Sequence, residues 1–172
     1  HNAGYDVRFL YKYFWNFTPI ERGKFLLRAY GKFTHNGITI KIQIQDSYAL
    51  IPKPLRDFSK MFNLPVEKEI LPYKLYTREN VEKRCIDIKD CLIAVERQFE
   101  ENNIGKYIDP VEQALFKKDY LKNCKKWNCI INDKVDIIRY SQEYCKMDVA
   151  VLEKGYNSFR ESIKLITSVE EY

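Results

Sequence analysis

Two aspartates and one tyrosine stand where their side chains could bind a ligand together. Asp6 follows the polar run His1-Asn2-Ala3-Gly4-Tyr5 and precedes an apolar segment. Tyr144 and Asp148 are four residues apart, so in a helix they lie on one face, one turn apart. The phenol would then lie beside whatever the Asp148 carboxylate binds. Asp6 would also serve as the N-cap of a following helix, and the other two residues also fit an amphipathic helix with one buried phenol.

The elements predicted for the first part of the chain are a short helix, a β-hairpin and a second helix. Apolar spacing predicts the first helix over residues 7–14. Isoleucines alternate with polar residues from Ile38 to Gln45, and Asn36-Gly37 predicts a tight turn from a partner strand over 25–33. Because a two-stranded hairpin is marginal alone, we expect it to join a larger sheet. A second helix is predicted over 55–62.

The remainder of the chain reads as a loop over 63–77 followed by three helices. The first is predicted over 79–98, with Ile86-Asp87-Ile88 inside its pattern. The second begins behind Asp109-Pro110, a good N-cap and N1 pair, and continues to 127. The third runs over 141–163 and carries Tyr144 and Asp148. Strands early and helices later predict an α/β domain.

Composition excludes several classes of protein. The chain has 172 residues, of which 45% are hydrophobic and 31% charged, so it is not a disordered polyampholyte. No window approaches 18 uninterrupted apolar residues, so we expect no membrane span. Five cysteines without a CxxC pair disfavour both a disulfide framework and a zinc site. We therefore expect a reducing, intracellular compartment, which leaves a viral replication site, the cytoplasm and the mitochondrion open.

Aromatic and basic residues are both plentiful. Tyr, Phe and Trp make up 15% of the chain, and 29 Lys and Arg against 24 Asp and Glu give a net charge of +5. Stacking rings with cations suit single-stranded nucleic acid, although an aromatic-rich core explains the same composition. The Lys-rich stretch 117–126 fits a solvated helix face better than a track for phosphates.

Taken together, the motifs resemble the exonuclease domain of family B DNA polymerases, and most closely the protein-primed branch of phages, linear plasmids and related viruses. His1-Asn2-x-x-Tyr5-Asp6 resembles the second exonuclease motif, and Tyr144-x-x-x-Asp148 the third. Between them, the segment 46–52 is similar to the branch's Ser/Thr-Leu motif, with Tyr48 replacing the usual Leu. Lys68 falls at the branch's lysine motif, and Tyr73 at its neighbouring tyrosine.

The resemblance implies a ribonuclease H-like α/β fold and a division of the chain into three segments. Residues 1–77 would form the exonuclease core, 78–139 a mainly helical insertion, and 140–172 the C-terminal exonuclease helix. The chain begins with His rather than Met, so we interpret it as a piece of a longer polymerase. The N-terminal strand of the fold would precede it, and the polymerase palm and fingers would follow it.

The resemblance also implies a mechanism, the hydrolysis of single-stranded DNA 3′ ends by two Mg²⁺ (or Mn²⁺) ions. Asp6 and Asp148 would be metal ligands, Tyr144 would orient the attacking water, and Lys68 would stabilise charge on the scissile phosphate. Further side chains are implied as contacts to the single strand, and they are His1, Asn2, Tyr5, Phe9, Ser47 and Tyr73. Phe9 and Tyr73 also fit core or rim aromatics, and Ser47 a polar strand end. Primer-template DNA and a terminal protein primer are the implied partners.

One part of the family pattern is missing from the sequence. The first exonuclease motif, Asp-x-Glu, supplies two further carboxylates in the family, and no Asp-x-Glu occurs in this chain. We therefore expect the 172 residues alone to be an incompetent nuclease. The nuclease interpretation requires Asp6 and Asp148 to converge within roughly 8 Å, to serve ions about 4 Å apart.

Two other functions fit the sequence. A non-catalytic module for single-stranded nucleic acid would use the same aromatics and lysines, bind in a salt-sensitive way and need no divalent cation. A purely structural helical domain would hold Asp6 and Asp148 far apart. The distance between these carboxylates separates the nuclease from the structural domain.

Overall fold

The computed structural model describes residues 1, 6–23 and 25–167, without the side chains of residues 6, 166 and 167. The described residues form an α/β structure, as predicted, with two small antiparallel sheets. The chain divides into two compact units. The first comprises His1–Pro65 and Leu152–Tyr172, and the second comprises Val66–Val151.

The first unit contains a three-stranded antiparallel sheet. Its strands, in the order β1-β2-β3, are β1 (Trp15–Arg22), β2 (Phe25–His35) and β3 (Ile38–Gln45). The predicted hairpin is confirmed, and β2 extends two residues beyond its predicted end. Asn36 and Gly37 make the turn with φ of 49° and 76°, the left-handed pair that a two-residue hairpin turn requires. As expected, the hairpin joins a larger sheet.

The third strand, β1, was not predicted from the sequence. It lies at the edge of the sheet, where Pro19 removes no needed donor, and almost all of its residues are exposed. Its register with β2 shifts twice, once between Trp15 and Thr18, and Asn16 in that interval has a φ of 51°. Because the strand is exposed and bulged, its sequence shows no regular alternation of apolar and polar residues.

The helix predicted over residues 7–14 is wrong in type. Two 3₁₀ turns, Asp6–Phe9 and Tyr11–Tyr13, occupy this stretch. Of the predicted apolar stripe only Val7 is buried, against Leu26 and Ala29 of β2. A 3₁₀ helix has three residues per turn, so spacing suited to an α-helix does not collect on one of its faces.

The second predicted helix of this unit is confirmed, and it packs tightly. A 3₁₀ turn at Leu55–Asp57 leads into α1 (Phe58–Met61), and the Phe58 ring is fully buried. In the same unit, a Cβ added to Gly155 would collide with that ring. Glycine in mid-helix costs about 1 kcal/mol relative to alanine, so its presence at 155 is explained by this close approach.

The second unit contains α-helices, one 3₁₀ turn at Tyr73–Leu75 and a small sheet. Its helices are α2 (Arg78–Lys83), α3 (Ile88–Asn102), α4 (Pro110–Lys126) and the first part of α5 (Ile137–Thr167). Its strands, in the order β4-β6-β5, are β4 (Cys85–Asp87), β5 (Ile130–Ile131) and β6 (Lys134–Asp136). No helix in the described part of the chain combines the length and apolarity needed to cross a membrane.

The two later helices confirm their predictions. The Val111 amide donates to Asp109 Oδ1 at 2.8 Å, and Pro110 occupies the first turn of α4. The last helix begins at Ile137, four residues before its predicted start. Asp136 accounts for the difference, because its Oδ1 accepts the Arg139 amide at 3.0 Å and so caps the helix.

The continuous helix predicted over 79–98 is wrong. Arg84 has a φ of 64° and ends α2, and β4 then separates α2 from α3. Residues 86 and 87 are therefore in a strand and not in a helix. The Arg84 guanidinium donates to both carboxylate oxygens of Asp136, at 2.9–3.1 Å. The Arg84 backbone carbonyl accepts the Ile137 amide at 3.0 Å. This tertiary contact stabilises a backbone conformation that arginine rarely adopts.

Two tyrosines lie at the centre of the core of the second unit. Tyr120 and Tyr140 are both fully buried, and their ring centroids are 4.8 Å apart. The Tyr140 hydroxyl donates to the Ile70 carbonyl at 2.7 Å. The Tyr120 hydroxyl lies beside the Cys91 and Cys124 thiols, and no hydrogen-bond partner meets it within the described part of the chain. Burial raises the pKa of these thiols, to about 11 for Cys91 and about 12 for Cys124.

We expect the removal of the two hydroxyls to affect the free energy of unfolding differently. Tyr140→Phe should lower the free energy of unfolding by about 1–2 kcal/mol, because it leaves the Ile70 carbonyl without its donor. Tyr120→Phe should change it by less than about 0.5 kcal/mol or raise it, because a buried hydroxyl without a good partner stabilises nothing. Urea unfolding of the three proteins measures both values. Equal losses in the two variants would contradict this account.

Candidate functional site

Three of the residues singled out in the sequence meet in the second unit. Lys68 Nζ lies 2.5 Å from the Tyr144 hydroxyl oxygen and 2.5 Å from Asp148 Oδ2, and donates to both. Tyr144 and Asp148 lie one turn apart on α5, as the spacing predicted. The ammonium also lies 4.8 Å from the centroid of the Tyr144 ring. A lysine 76 residues away in sequence therefore fixes the relative position of a phenol and a carboxylate.

Two hydrogen bonds position the segment that carries Lys68. Glu69 accepts a bond from the buried Asn123 side chain at 2.5 Å, and the Ile70 carbonyl accepts the Tyr140 hydroxyl. Both donors belong to the packed core of the second unit. Sequence reasoning missed Glu69 and Asn123, because an acid and an amide 54 residues apart carry no local signal of contact.

The Tyr144 phenol stays protonated at any ordinary pH. Its side chain is 5% exposed, and burial, the Asp148 charge and hydrogen bonding with Tyr73 all raise its pKa. The phenol oxygen accepts a bond from Lys68, and its proton remains available to act as a hydrogen-bond donor at ordinary pH. The Lys68 and Asp148 side chains are 24% and 25% exposed, so the cluster opens to solvent on one side.

Asp148 has one oxygen engaged and one oxygen without a partner. Oδ2 receives the Lys68 bond, whereas Oδ1 is buried and meets no hydrogen-bond donor within the described residues. An unsatisfied buried acceptor costs free energy unless a ligand completes it. A carboxylate oxygen is a ligand that Mg²⁺ and Mn²⁺ prefer.

The described side chains fit one part of a divalent-cation site. Asp148 Oδ1 can supply one ligand, but no three His, Cys, Asp or Glu side chains gather anywhere in the described part of the chain. A cation bound to Asp148 would therefore take its other ligands from water or from other residues.

The second predicted metal ligand cannot be compared with the first. Asp6 begins a 3₁₀ turn, but its side chain lies outside the described residues, as do Asn2 and Tyr5 entirely. The convergence of Asp6 and Asp148 on one site therefore stays a prediction, as do the roles of Asn2 and Tyr5 in binding a single strand.

Two other predicted residues, His1 and Ser47, meet in the first unit. His1 Nδ1 and Ser47 Oγ are 3.1 Å apart, and His1 Nε2 lies 2.7 Å from the Lys53 carbonyl oxygen. Ser47 begins a 3₁₀ turn in which Asp46 Oδ1 accepts the Tyr48 amide at 2.9 Å. The imidazole also packs edge-on against Tyr48, 5.3 Å between ring centroids.

His1 and Ser47 line a cleft of about 300 Å³ in the first unit. Gln45 and Leu50 line it from the end of β3, and Leu152, Glu153 and Tyr156 line it from α5. Sequence reasoning missed Glu153 and Tyr156, although they continue the helix that carries the third motif. The cleft has an aromatic ring, an imidazole and a hydroxyl on its walls, which suits a base and its sugar.

The last two predicted contacts are exposed aromatic rings. The Phe9 side chain is 59% exposed and the Tyr73 side chain 63% exposed. Tyr73 hydrogen-bonds with the Tyr144 phenol and so belongs beside the Lys68 cluster. Neither ring belongs to the core of its unit. Each can therefore be either a rim aromatic or a contact to DNA.

Comparison with known proteins gives one family and two relatives. The sequence model of type B DNA polymerases of organelles and viruses matches residues 1–171. The chain is 25% identical over 177 residues to a DNA polymerase of Kluyveromyces lactis, an alignment that covers 99% of the chain and 16% of that protein. It is 27% identical over 123 residues to a DNA polymerase of human adenovirus F serotype 40, covering 72% of the chain and 9% of that protein.

The chain thus spans less than a fifth of the length of these relatives, 16% of the first and 9% of the second. No solved structure matches it.

Proposed function

Because the chain belongs to the type B DNA polymerases of organelles and viruses, we propose that it carries the 3′–5′ exonuclease, or proofreading, domain of a DNA-directed DNA polymerase. Its fold would be ribonuclease H-like, with residues 1–77 as core, 78–139 as insertion and 140–172 as the last helix. The substrate would be the single-stranded 3′ end of primer-template DNA. A terminal protein is the proposed primer of the parent enzyme.

One observation carries this proposal, the cluster of Lys68, Tyr144 and Asp148. The Lys68 ammonium donates to the Tyr144 phenol, which keeps its proton, and to Asp148 Oδ2, whereas Asp148 Oδ1 is buried without a partner among the described residues. A buried carboxylate oxygen without a donor is uncommon in a helix that is packed for structure alone.

In this mechanism Asp6 and Asp148 would hold divalent cations, Mg²⁺ or Mn²⁺. Bound in pairs, such cations supply an activated water and stabilise the leaving 3′ oxygen. Asp148 would offer Oδ1, because Oδ2 is occupied by Lys68. The Tyr144 hydroxyl would orient the attacking water by donating its proton in a hydrogen bond. Lys68 would hold both side chains in place and offset the negative charge that develops on the phosphate.

The binding of the substrate would use aromatic and polar residues of each unit. Tyr73 and Phe9 present exposed rings on which frayed bases could stack. His1 and Ser47, with Tyr156, would hold a nucleotide in the cleft of the first unit. Asn2 and Tyr5 complete the proposed set through the motif that they share with the family.

A nuclease assay of the full-length polymerase tests this proposal. A 5′-labelled single strand incubated with Mg²⁺ should shorten stepwise from its 3′ end, and EDTA should stop the reaction. The 172-residue chain should degrade the same strand far more slowly, because it contains no Asp-x-Glu, the motif that supplies two further carboxylates in the family it resembles. Salt-sensitive binding without metal-dependent cleavage in the full-length protein would favour the non-catalytic binding module instead. Rapid 3′–5′ degradation by the short chain would contradict its expected incompetence.

A further inference from the structure

Helix α4 presents a face of lysines directly opposite the face that it buries. Its inward side carries Tyr120, Asn123 and Cys124. At 100° per residue, Lys118, Lys122 and Lys125 fall within about 60° of one another on the outward side. All three are exposed, as is Lys126 beside them.

Several exposed cations on the helices of this chain form ion pairs. Arg78 and Lys83 of α2 pair with glutamates one turn away, and so do Lys146 and Lys164 of α5. On α4, Lys117 pairs with Glu96 of α3. In contrast, the four outward lysines make no ion pair within the described part of the chain.

The lysine side chains on the outward face of α4 therefore repel one another. Lys118 and Lys122, and again Lys122 and Lys126, stand four residues apart, and like charges at this spacing destabilise a helix. Favourable interaction with the helix dipole explains the two lysines of the last turn, Lys125 and Lys126, but not Lys118 or Lys122. A polyanion bound to this face would remove the repulsion.

The same face becomes apolar toward the start of the helix. Val111 and Leu115 lie on the outward side, 65% and 51% exposed, and Tyr107 in the preceding loop is 87% exposed. From Val111 to Lys125 the face is about 21 Å long. Phosphates suit its basic end, and unstacked bases suit the apolar and aromatic end, a combination that favours a single strand over a duplex.

We infer that the outward face of α4, with Tyr107, is a second binding surface for single-stranded DNA, separate from the Lys68 cluster. Unlike the solvated face that the sequence alone favours for 117–126, this surface uses Lys118, Lys122 and Lys125 to bind successive phosphates, and Tyr107 stacks on a base. That the polyanion is DNA rests on the proposed function. The charge and the exposure of the face are observed independently of that function.

Fluorescence anisotropy with a labelled oligothymidylate tests this surface in EDTA, where no hydrolysis occurs. Lys118→Glu/Lys122→Glu/Lys125→Glu in the 172-residue chain should weaken binding at least tenfold. It should also reduce the slope of log affinity against log salt by about 2, since each phosphate contact on a single strand contributes about 0.7. The matched control is Lys60→Glu/Lys89→Glu/Lys134→Glu, which changes the net charge equally at exposed positions elsewhere. It should weaken binding less than threefold.

Two further variants keep the result interpretable. The triple Lys→Gln variant at 118, 122 and 125 should show a smaller loss of the same kind, and its thermal unfolding reports whether α4 stays folded. Tyr107→Ala should weaken binding by about fivefold or more, with an unchanged salt slope, because it removes a stacking contact and no phosphate contact. Equal losses in the two Lys→Glu variants, or tighter binding of a duplex than of a single strand, would overturn the inference. Because binding is measured without metal, a failure of the nuclease proposal leaves this result unaffected.

Discussion

Replacing Asp148 by alanine in the full-length polymerase is expected to slow 3′–5′ degradation of single-stranded DNA on the order of a thousandfold or more. Even residues that only support a metal ligand cost roughly 10- to 100-fold when they are changed, and Asp148 is the proposed ligand itself. Asp148→Asn should cause a similar loss, since it keeps an acceptor for Lys68 but removes the charge. Initial rates with 5′-labelled substrate in Mg²⁺ measure both variants.

The control for this experiment lies on the same helix. Glu161 is exposed and pairs with Lys164 one turn away, so Glu161→Ala should leave the degradation rate within twofold. DNA synthesis on a primed template should persist in all variants, which separates a loss of chemistry from a loss of folding. A loss below tenfold for Asp148→Ala would remove Asp148 from the metal site.

The second large effect is expected on stability, from replacing Asp136, whose carboxylate connects the end of α2 with β6 and α5. Asp136 is 4% exposed, receives three hydrogen bonds from the Arg84 guanidinium and caps α5 through the Arg139 amide. Asp136→Asn should lower the free energy of unfolding by about 2–3 kcal/mol at pH 7, because hydrogen bonds to a charged group are worth about 1.5–3 kcal/mol. Urea unfolding measures the difference.

The effect of Asp136 should depend on pH in a defined direction. Burial alone would raise the pKa of Asp136, but the hydrogen bonds from Arg84 and the Arg139 amide, with the guanidinium charge, lower it below its usual value. A carboxyl whose pKa is lowered by folding stabilises the protein above its unfolded pKa, near 3.8, and loses that contribution as pH falls through the folded pKa. The gap between wild type and Asp136→Asn should thus be constant from about pH 5 to 8 and shrink below about pH 4.

Asp133→Asn provides the matched control for this measurement. Asp133 is exposed, three residues away in the turn between β5 and β6, with a φ of 59° that asparagine also tolerates. Its replacement should change the free energy of unfolding by less than about 0.5 kcal/mol. An equal loss in the two variants, or a loss for Asp136→Asn that is as large at pH 3 as at pH 7, would contradict the role assigned to the ion pair.

Local patterns predicted the elements whose structure depends on local contacts. The alternation over β3, the Asn36-Gly37 turn and the Asp109-Pro110 cap each determine a conformation within a few residues, and each prediction is confirmed. The break at Arg84 could not be predicted, because no glycine or proline marks it. Its left-handed backbone is stabilised by a carboxylate 52 residues further along the chain.

The candidate site was predictable in composition but not in geometry. The i, i+4 spacing placed Tyr144 and Asp148 on one face of a helix, and the structure keeps them there. That Lys68 bonds to both atoms depends on the path of the loop over 63–77, which Asn123 and Tyr140 position from the core. Such long-range contacts leave no period in the sequence.

The contact between Gly155 and Phe58 has a consequence for how this family of chains can vary. Even a methyl group at 155 would have to displace a fully buried ring, so neither position can change alone without loss of packing. Homologues that carry alanine or serine where this chain has Gly155 should therefore carry leucine, valine or another smaller side chain where it has Phe58. The two positions, 97 residues apart in the chain, would then be inherited as a pair.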